Sequence, residues 1–324
     1  MGTIRLTKNG IVCKNSNALV YLDPKAVQND GINFVSHAHI DHLPNNGSGT
    51  ILASNETREI AKFRGFEFDS TDSLENFSLI DSGHILGSKG ILFDDIFYTG
   101  DISLRDRGFL KAAKIPKCKT LITECTFGLP EFVFPSVTKI IEHVNGIISE
   151  LYSKGKPVIL LGYELGKSQT ISQLFANWEP LFYHDSIKKM NDLHRKLGVE
   201  LKDVIGHSEA ESNGLLEKKP WVMIAPTMSV KNHFIQNMKT KYDAVTIGFS
   251  GWANSTKFRF SRGADYSIPL SDHCDYNDLI KLVKQSEAEN VYTIHGFVEE
   301  FAEDLTHIGF SAQPLRKSSL DNFC

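Results

Sequence analysis

Residues 37–42 read His-Ala-His-Ile-Asp-His, and no other stretch constrains this chain as strongly. From the chain's own 12 histidines and 39 acids in 324 residues, chance would give about 0.002 such hexads. The bland alternative is a solvated histidine cluster. Metal binding is the better reading, because imidazole nitrogen and carboxylate oxygen are the donors that Zn2+ and similar divalent ions take. On an extended segment the i, i+2 spacing puts His37 and His39 on one side. Asp41 and His42 then turn toward a second position. One ion holding all four would leave no room for substrate, so two divalent ions are expected, Zn2+ first and Mn2+ as the alternative.

Two ions need further ligands, and the ends of apolar runs offer them. His84 lies between glycines in SGHILGS, Asp101 follows Gly100 in YTGD, and His295 precedes Gly296 in IHGF. Each alone reads as an ordinary loop residue; their weight comes from arriving together. The first 128 residues are mostly strand-to-loop transitions, and α/β proteins place their sites at such strand ends.

From about Pro130 the texture changes. VTKIIEHVNGIISELYSKG has apolar residues at helical spacing, PVILLGY and WVMIAPT read as buried strands, and helical segments lie between them. Strand–helix alternation over 130–245 predicts a separate α/β unit with a parallel sheet. Strand-to-loop texture returns from Gly263.

Composition sets the background. The net charge of −4 excludes a global positive field, so a nucleic-acid partner needs a local basic surface. Residues 105–119 (Arg105, Arg107, Lys111, Lys114, Lys117 and Lys119) and FRFSR at 258–262 are the candidate stripes, the latter interleaving Phe258 and Phe260 with Arg259 and Arg262. Five cysteines without a C-x-x-C pair fit a reducing compartment rather than a disulfide framework. The start carries charge at once and no apolar run is long enough to span a bilayer, so the expectation is a cytoplasmic protein without a membrane partner.

These motifs resemble the metallo-β-lactamase fold. HAHIDH, SGHILGS and YTGD are similar to its second, third and fourth motifs, with Asp23 of YLDP as the first. The chain further resembles the β-CASP nucleases of that fold: LITECTFG with Glu124 is similar to their motif A, SDHCDY with His273 to motif B, and IHGF with His295 to motif C. The resemblance runs over essentially the whole chain. It implies an αββα sandwich formed by residues 1–128 and 263–324, with an α/β β-CASP domain inserted at 129–262. It also implies that His37, His39 and His84 hold one metal, that Asp41, His42 and His295 hold the other, and that Asp101 bridges both. Asp23 would orient a ligand, His273 would donate a proton to the leaving oxygen with Glu124 stabilising its charged form, and the metal ligands Asp41 and Asp101 would complete the catalytic set.

LGYELGKSQ falls one residue short of a Walker loop, since position 161 is Leu, and no ATP site is expected. Lys167 and Ser168 in that segment remain candidates for a substrate phosphate. The function implied is a two-metal nuclease acting on phosphodiester bonds. Histidine at motif C goes with RNA substrates in the eukaryotic members. The chain's compactness and its C-terminal third look most like the prokaryotic exonucleases associated with DNA ligases. A repair-associated exonuclease on single-stranded DNA is therefore the first expectation, with DNA ligase or other repair proteins as partners. An RNA-processing endo- or exoribonuclease is the alternative. A small-molecule hydrolase and a catalytically dead binding module of the same fold are the remaining classes.

Overall fold

The computed structural model describes residues 3–14, 18–45, 47–229, 231–254 and 263–316. It divides the chain into two compact units. The first comprises residues 1–105, 112–133 and 273–324; the second comprises 106–111 and 134–272.

The first unit begins with a hairpin, β1 (Thr3–Thr7) and β2 (Gly10–Lys14), whose Thr7–Gly10 pairing puts Lys8 and Asn9 at the turn. β3 (Leu19–Leu22) joins antiparallel, then β4 (Ile32–Phe34) and β5 (Thr50–Leu52) add in parallel. The helix α1 (Asn55–Phe63) follows, capped by the Ser54 hydroxyl accepting from Thr57 N. A six-stranded sheet is built from β6 (Ser78–Asp81), β7 (Lys89–Phe93), β8 (Ile96–Tyr98), β9 (Thr120–Cys125), β15 (Asn290–Gly296) and β16 (Ala312–Pro314), in the order β16-β15-β9-β8-β7-β6.

Alternation along these strands decides what each face buries. Ile122, Tyr98 and Ile294 join Val20, Leu22, Phe34 and Leu52 of the first sheet in one apolar cluster. Leu121, Phe97 and Val291 point the other way, onto α7 (Tyr276–Ser286) and α8 (Val298–His307) through Leu279, Leu282, Phe301 and Leu305. Each such fully buried side chain contributes about 1.5–3 kcal/mol.

The second unit carries a parallel sheet in the order β11-β12-β10-β13-β14. Its strands are β10 (Val158–Gly162), β11 (Leu181–Tyr183), β12 (Val222–Pro226), β13 (Val245–Phe249) and β14 (Tyr266–Ile268). Val158 and Leu160 face α2 (Val137–Ser153) and α3 (Lys167–Leu174); Ile159 and Leu161 face α5 (His207–Ser212) and α6 (His233–Tyr242). This is the near-continuous apolar strand of a sheet covered on both faces.

The units divide at 105/106, 111/112, 133/134 and 272/273, against the 128/129 and 262/263 expected from the sequence. The later C-terminal seam has a plain cause. Tyr266–Ile268 reads as the return of strand-to-loop texture, but it pairs in parallel with β13 and completes the second unit's sheet.

Among the described residues no helix is long and apolar enough to cross a membrane. Cys13, Cys118, Cys125 and Cys274 are free and buried.

Candidate metal centre

The site lies wholly in the first unit, at the ends of its strands. β4 runs into His37–His39, and a 3-10 turn over Ile40–His42 swings Asp41 and His42 away from the extended segment. His84 sits between β6 and β7, Asp101 follows β8, Glu124 lies on β9, and His295 sits near the end of β15. β15 breaks register against β9 between Ile294 and Gly296, and His295 there takes a φ of 52°. Gly296 is required beside it, since a Cβ would fall 2.3 Å from the Cys125 carbonyl oxygen.

Four ligand atoms converge. His39 Nδ1 lies 3.0 Å from His37 Nε2 and 3.1 Å from His84 Nε2. Asp101 Oδ2 is 3.4 Å from His37 Nε2 and 3.5 Å from His84 Nε2. The edge of a tetrahedron with ligands at zinc distances is about 3.3 Å, so the spacing suits one tetrahedral divalent ion. An imidazole nitrogen carries either one hydrogen or one lone pair, so three of them meeting at a point cannot all satisfy one another. A cation removes that conflict, and the donor set fits it.

Around this group the second set is more open. His42 Nε2 lies 3.7 Å from Asp101 Oδ2 and 3.8 Å from Asp41 Oδ2, and the His42 and His295 ring centroids are 5.6 Å apart. The Asp41 side chain is 82% exposed, and His295 is exposed as well. Asp101 Oδ2 thus stands within reach of both sets.

Neighbouring groups fix the rings. Ser36 Oγ lies 2.9 Å from His37 Nδ1, which leaves His37 Nε2 for the centre. Asp23 accepts from Ser36 N, Ser36 Oγ, Tyr98 OH and His42 Nδ1 at 2.6–2.8 Å, which turns His42 Nε2 toward Asp101. Glu124 Oε1 meets His273 Nδ1 at 2.8 Å and accepts from Ile102 N at 3.0 Å, while the Thr126 hydroxyl and amide hold Oε2. One ligand atom from each of Asp101, Glu124 and His273 lies within 4.8 Å of the others.

The electrostatics follow from burial and crowding. Burial, then the neighbouring His42, His39 and His84, drive His37 well below the usual imidazole range. Burial alone would pull His42 down, but Asp101, Asp23 and Asp41 outweigh it and hold its pKa up at about 10. Burial raises Asp101, although His42 and His273 oppose the rise. Burial would also raise Glu124 and Asp23, but His273 keeps the first low and His42 the second.

Other candidates sit elsewhere. Lys167 and Ser168 are interior to the second unit. The Lys167 ammonium is 2.8 Å from Asp272 Oδ2 and donates to Leu270 O, and Ser168 Oγ donates to Gly162 O. Both are 2% exposed or less, so as placed neither offers a polar atom to a phosphate at the surface. The stripe at 105–119 is not an unmatched basic surface. Arg107 is fully buried against Asp272, Arg105 pairs with Asp275 and Asp278, and Lys111, Lys117 and Lys119 each meet an acid. Arg259 and Arg262, with Phe258 and Phe260, lie outside the described residues.

Reading the sequence missed Ser36, Tyr98 and Thr126, which hold Asp23, His37 and Glu124. Each lies within three residues of a residue it did single out, and that proximity is the available signal.

A donor set of this make-up at strand ends is one that can hold a divalent metal ion. Residues 265–312 match the family model described as the Zn-dependent metallo-hydrolase RNA specificity domain. The chain is 29% identical over 304 residues to a protein of Opitutus terrae named "Probable DNA ligase", covering 86% of this chain and 28% of that protein. It is 24% identical over 266 residues to an RNase J-like protein of Methanocaldococcus jannaschii, covering 68% of this chain and 63% of that one. This chain therefore spans only part of each of these relatives. A crystal structure of a protein of unknown function from Enterococcus faecalis V583 shares the fold, with a TM-score of 0.66 at 15% identity over 98% of this chain and 96% of the other. The resemblance read from the motifs accords with these matches, the family model covering residues 265–312 and the relatives 68–86% of this chain.

Proposed function

We propose that this chain is a two-metal nuclease that hydrolyses phosphodiester bonds, with single-stranded DNA as its first substrate and an exonucleolytic mode. The observation that carries the reading is the pair His273–Glu124, 2.8 Å apart and beside Asp101. A metallo-hydrolase acting on a strained amide has little need of a second proton donor; an alkoxide leaving from phosphorus has.

His37, His39, His84 and Asp101 would hold one divalent ion, and Asp41, His42, His295 and Asp101 the other, Zn2+ being favoured by the nitrogen-rich donor set. When bound, such ions supply a water acidified to near-neutral pH and positive charge for the phosphoryl oxygens. The chain's own groups do the rest. Asp23 fixes the orientation of His42 through Nδ1. Glu124, held by Thr126 and the Ile102 amide, keeps its charge and stabilises the protonated form of His273. Its grip on Nδ1 leaves His273 Nε2 to present a proton to the leaving oxygen.

The name of the Opitutus terrae relative, of which this chain matches about a quarter, supports a DNA substrate and a setting beside ligation. The description of the family model at 265–312 and the name of the Methanocaldococcus jannaschii relative favour the second reading, RNA processing. Matched single-stranded DNA and RNA, labelled at either end and incubated with the zinc- or manganese-loaded protein, separate the two. Stepwise loss of DNA from one end is the expected result. Cleavage of RNA alone would replace the first reading by the second, and no cleavage of either polymer would end both.

A further inference from the structure

The three imidazoles of the first donor set come from two loops that are far apart in sequence, and one short helix touches both. At its N-terminal end the Ser54 hydroxyl donates to the Gly87 carbonyl at 2.6 Å, and the Thr57 hydroxyl donates to the same carbonyl at 3.1 Å. Gly87 lies three residues after His84, on the loop that carries it. It takes a φ of +78°, and a Cβ there would come within 2.6 Å of Glu56 Cβ and 2.9 Å of Thr57 N, so loop and helix end are in full contact. At the C-terminal end Arg64 Nη1 donates to the Ala38 carbonyl at 2.7 Å. Ala38 is the residue between His37 and His39.

The helix is itself fixed. Thr57, Ile60 and Ala61 are fully buried, and nine residues give a rod of about 13 Å. A rigid rod bonded at its two ends to two loops sets their separation. That separation bears on the distances of His84 Nε2 and His37 Nε2 from His39 Nδ1, 3.1 and 3.0 Å.

We infer that α1 is a strut for the three-imidazole donor set, and that Arg64, Ser54 and Thr57 are positioning residues for it. The inference rests on the reading that this donor set holds a divalent ion. Arg64 suits the task because a charged guanidinium makes a stronger bond to a carbonyl than a neutral donor would. Groups that orient ligands in this way commonly set metal affinity over a 10–100-fold range.

The test uses the full chain, stripped of metal and titrated with Zn2+ against a chromophoric chelator, and separately with Co2+, whose visible absorption reports tetrahedral geometry. Arg64→Ala should weaken the ion at His37, His39 and His84 by about 10–100-fold and alter the Co2+ spectrum. Arg64→Lys, which keeps a charged donor, should recover most of that loss. Lys62→Ala, the same charge removed from an exposed position on the same helix, should leave both readouts as in the wild type. Thr57→Val, which removes one of the two hydroxyls on Gly87, should give a smaller loss in the same direction and serves if Arg64→Ala does not fold. Wild-type affinity and spectrum in both Arg64→Ala and Thr57→Val would overturn the strut while leaving the metal reading intact. So would a Lys62→Ala loss equal to that of Arg64→Ala. A wild-type chain that binds no divalent ion would overturn the metal reading itself, and the strut with it.

Discussion

Asp23 Oδ2 lies 2.8 Å from His42 Nδ1, and the same oxygen accepts the hydroxyls of Ser36 and Tyr98. One carboxylate therefore fixes which nitrogen of His42 is offered to the metal centre. Asp23→Asn keeps the shape and loses the charge and an acceptor. It should weaken the ion proposed at Asp41, His42 and His295 by about 10–100-fold, and the ion proposed at His37, His39 and His84 much less, since Asp23 reaches His37 only through Ser36. Tyr98→Phe should do the same more mildly. Metal titrations that show both ions weakened equally would remove the pairing of Asp23 with one site.

The two donor sets differ in closure, and so should the affinities. His37, His39, His84 and Asp101 offer ligand atoms within 4.8 Å of one another, three of the four residues being buried, whereas Asp41 and His295 are exposed. Purified chain under saturating metal should hold about two ions, one at least about 10-fold weaker than the other and the first to leave to a chelator. Asp101→Asn removes charge from both sets and should abolish turnover without unfolding the chain. A single ion under saturation, or full turnover in Asp101→Asn, would end the two-metal assignment.

His273 is assigned a proton and His295 a metal, and the leaving group tells them apart. His273→Ala should slow cleavage of an oligonucleotide by about 10²–10⁴. It should lose far less on bis-p-nitrophenyl phosphate, whose leaving group departs as a stable anion, with metal content unchanged. His295→Ala should weaken one ion and slow both substrates together. Identical behaviour of the two variants would show that the division of labour is wrong.

His194 makes a prediction about stability that does not involve the site. On α4 (Asp185–Lys196), buried and bonded through Nδ1 to the Met190 carbonyl, its imidazole is held by burial at a pKa of about 4. Below about pH 6.5 the unfolded chain takes up a proton there that the folded chain refuses. Its contribution is complete above that pH and is lost as pH falls toward 4, up to about 3 kcal/mol. Denaturant unfolding across this window should show a shallower loss in His194→Gln than in wild type. The slope carries the test, whatever the variant's stability at neutral pH.

What the sequence determined by itself is local. The hexad at 37–42 is legible because a period-two strand end and a tight turn place its side chains within one short segment. The alternation of strand and helix over 130–245 is legible because 3.6- and 2-residue periods need no long-range contact to be seen. The tertiary structure alone decided the pairings that span the chain. Tyr98 reaches Asp23 across 75 residues, and Lys167 reaches the Leu270 carbonyl across 103. The same holds for the stripe at 105–119, basic in sequence and largely matched by acids in space, and for Tyr266–Ile268, whose place in the second unit depends on pairing with β13. A charge or a strand edge shows its own chemistry in the sequence. Which partner satisfies it is set by burial, where an unpaired group is too costly to leave and the nearest acceptor lies far along the chain.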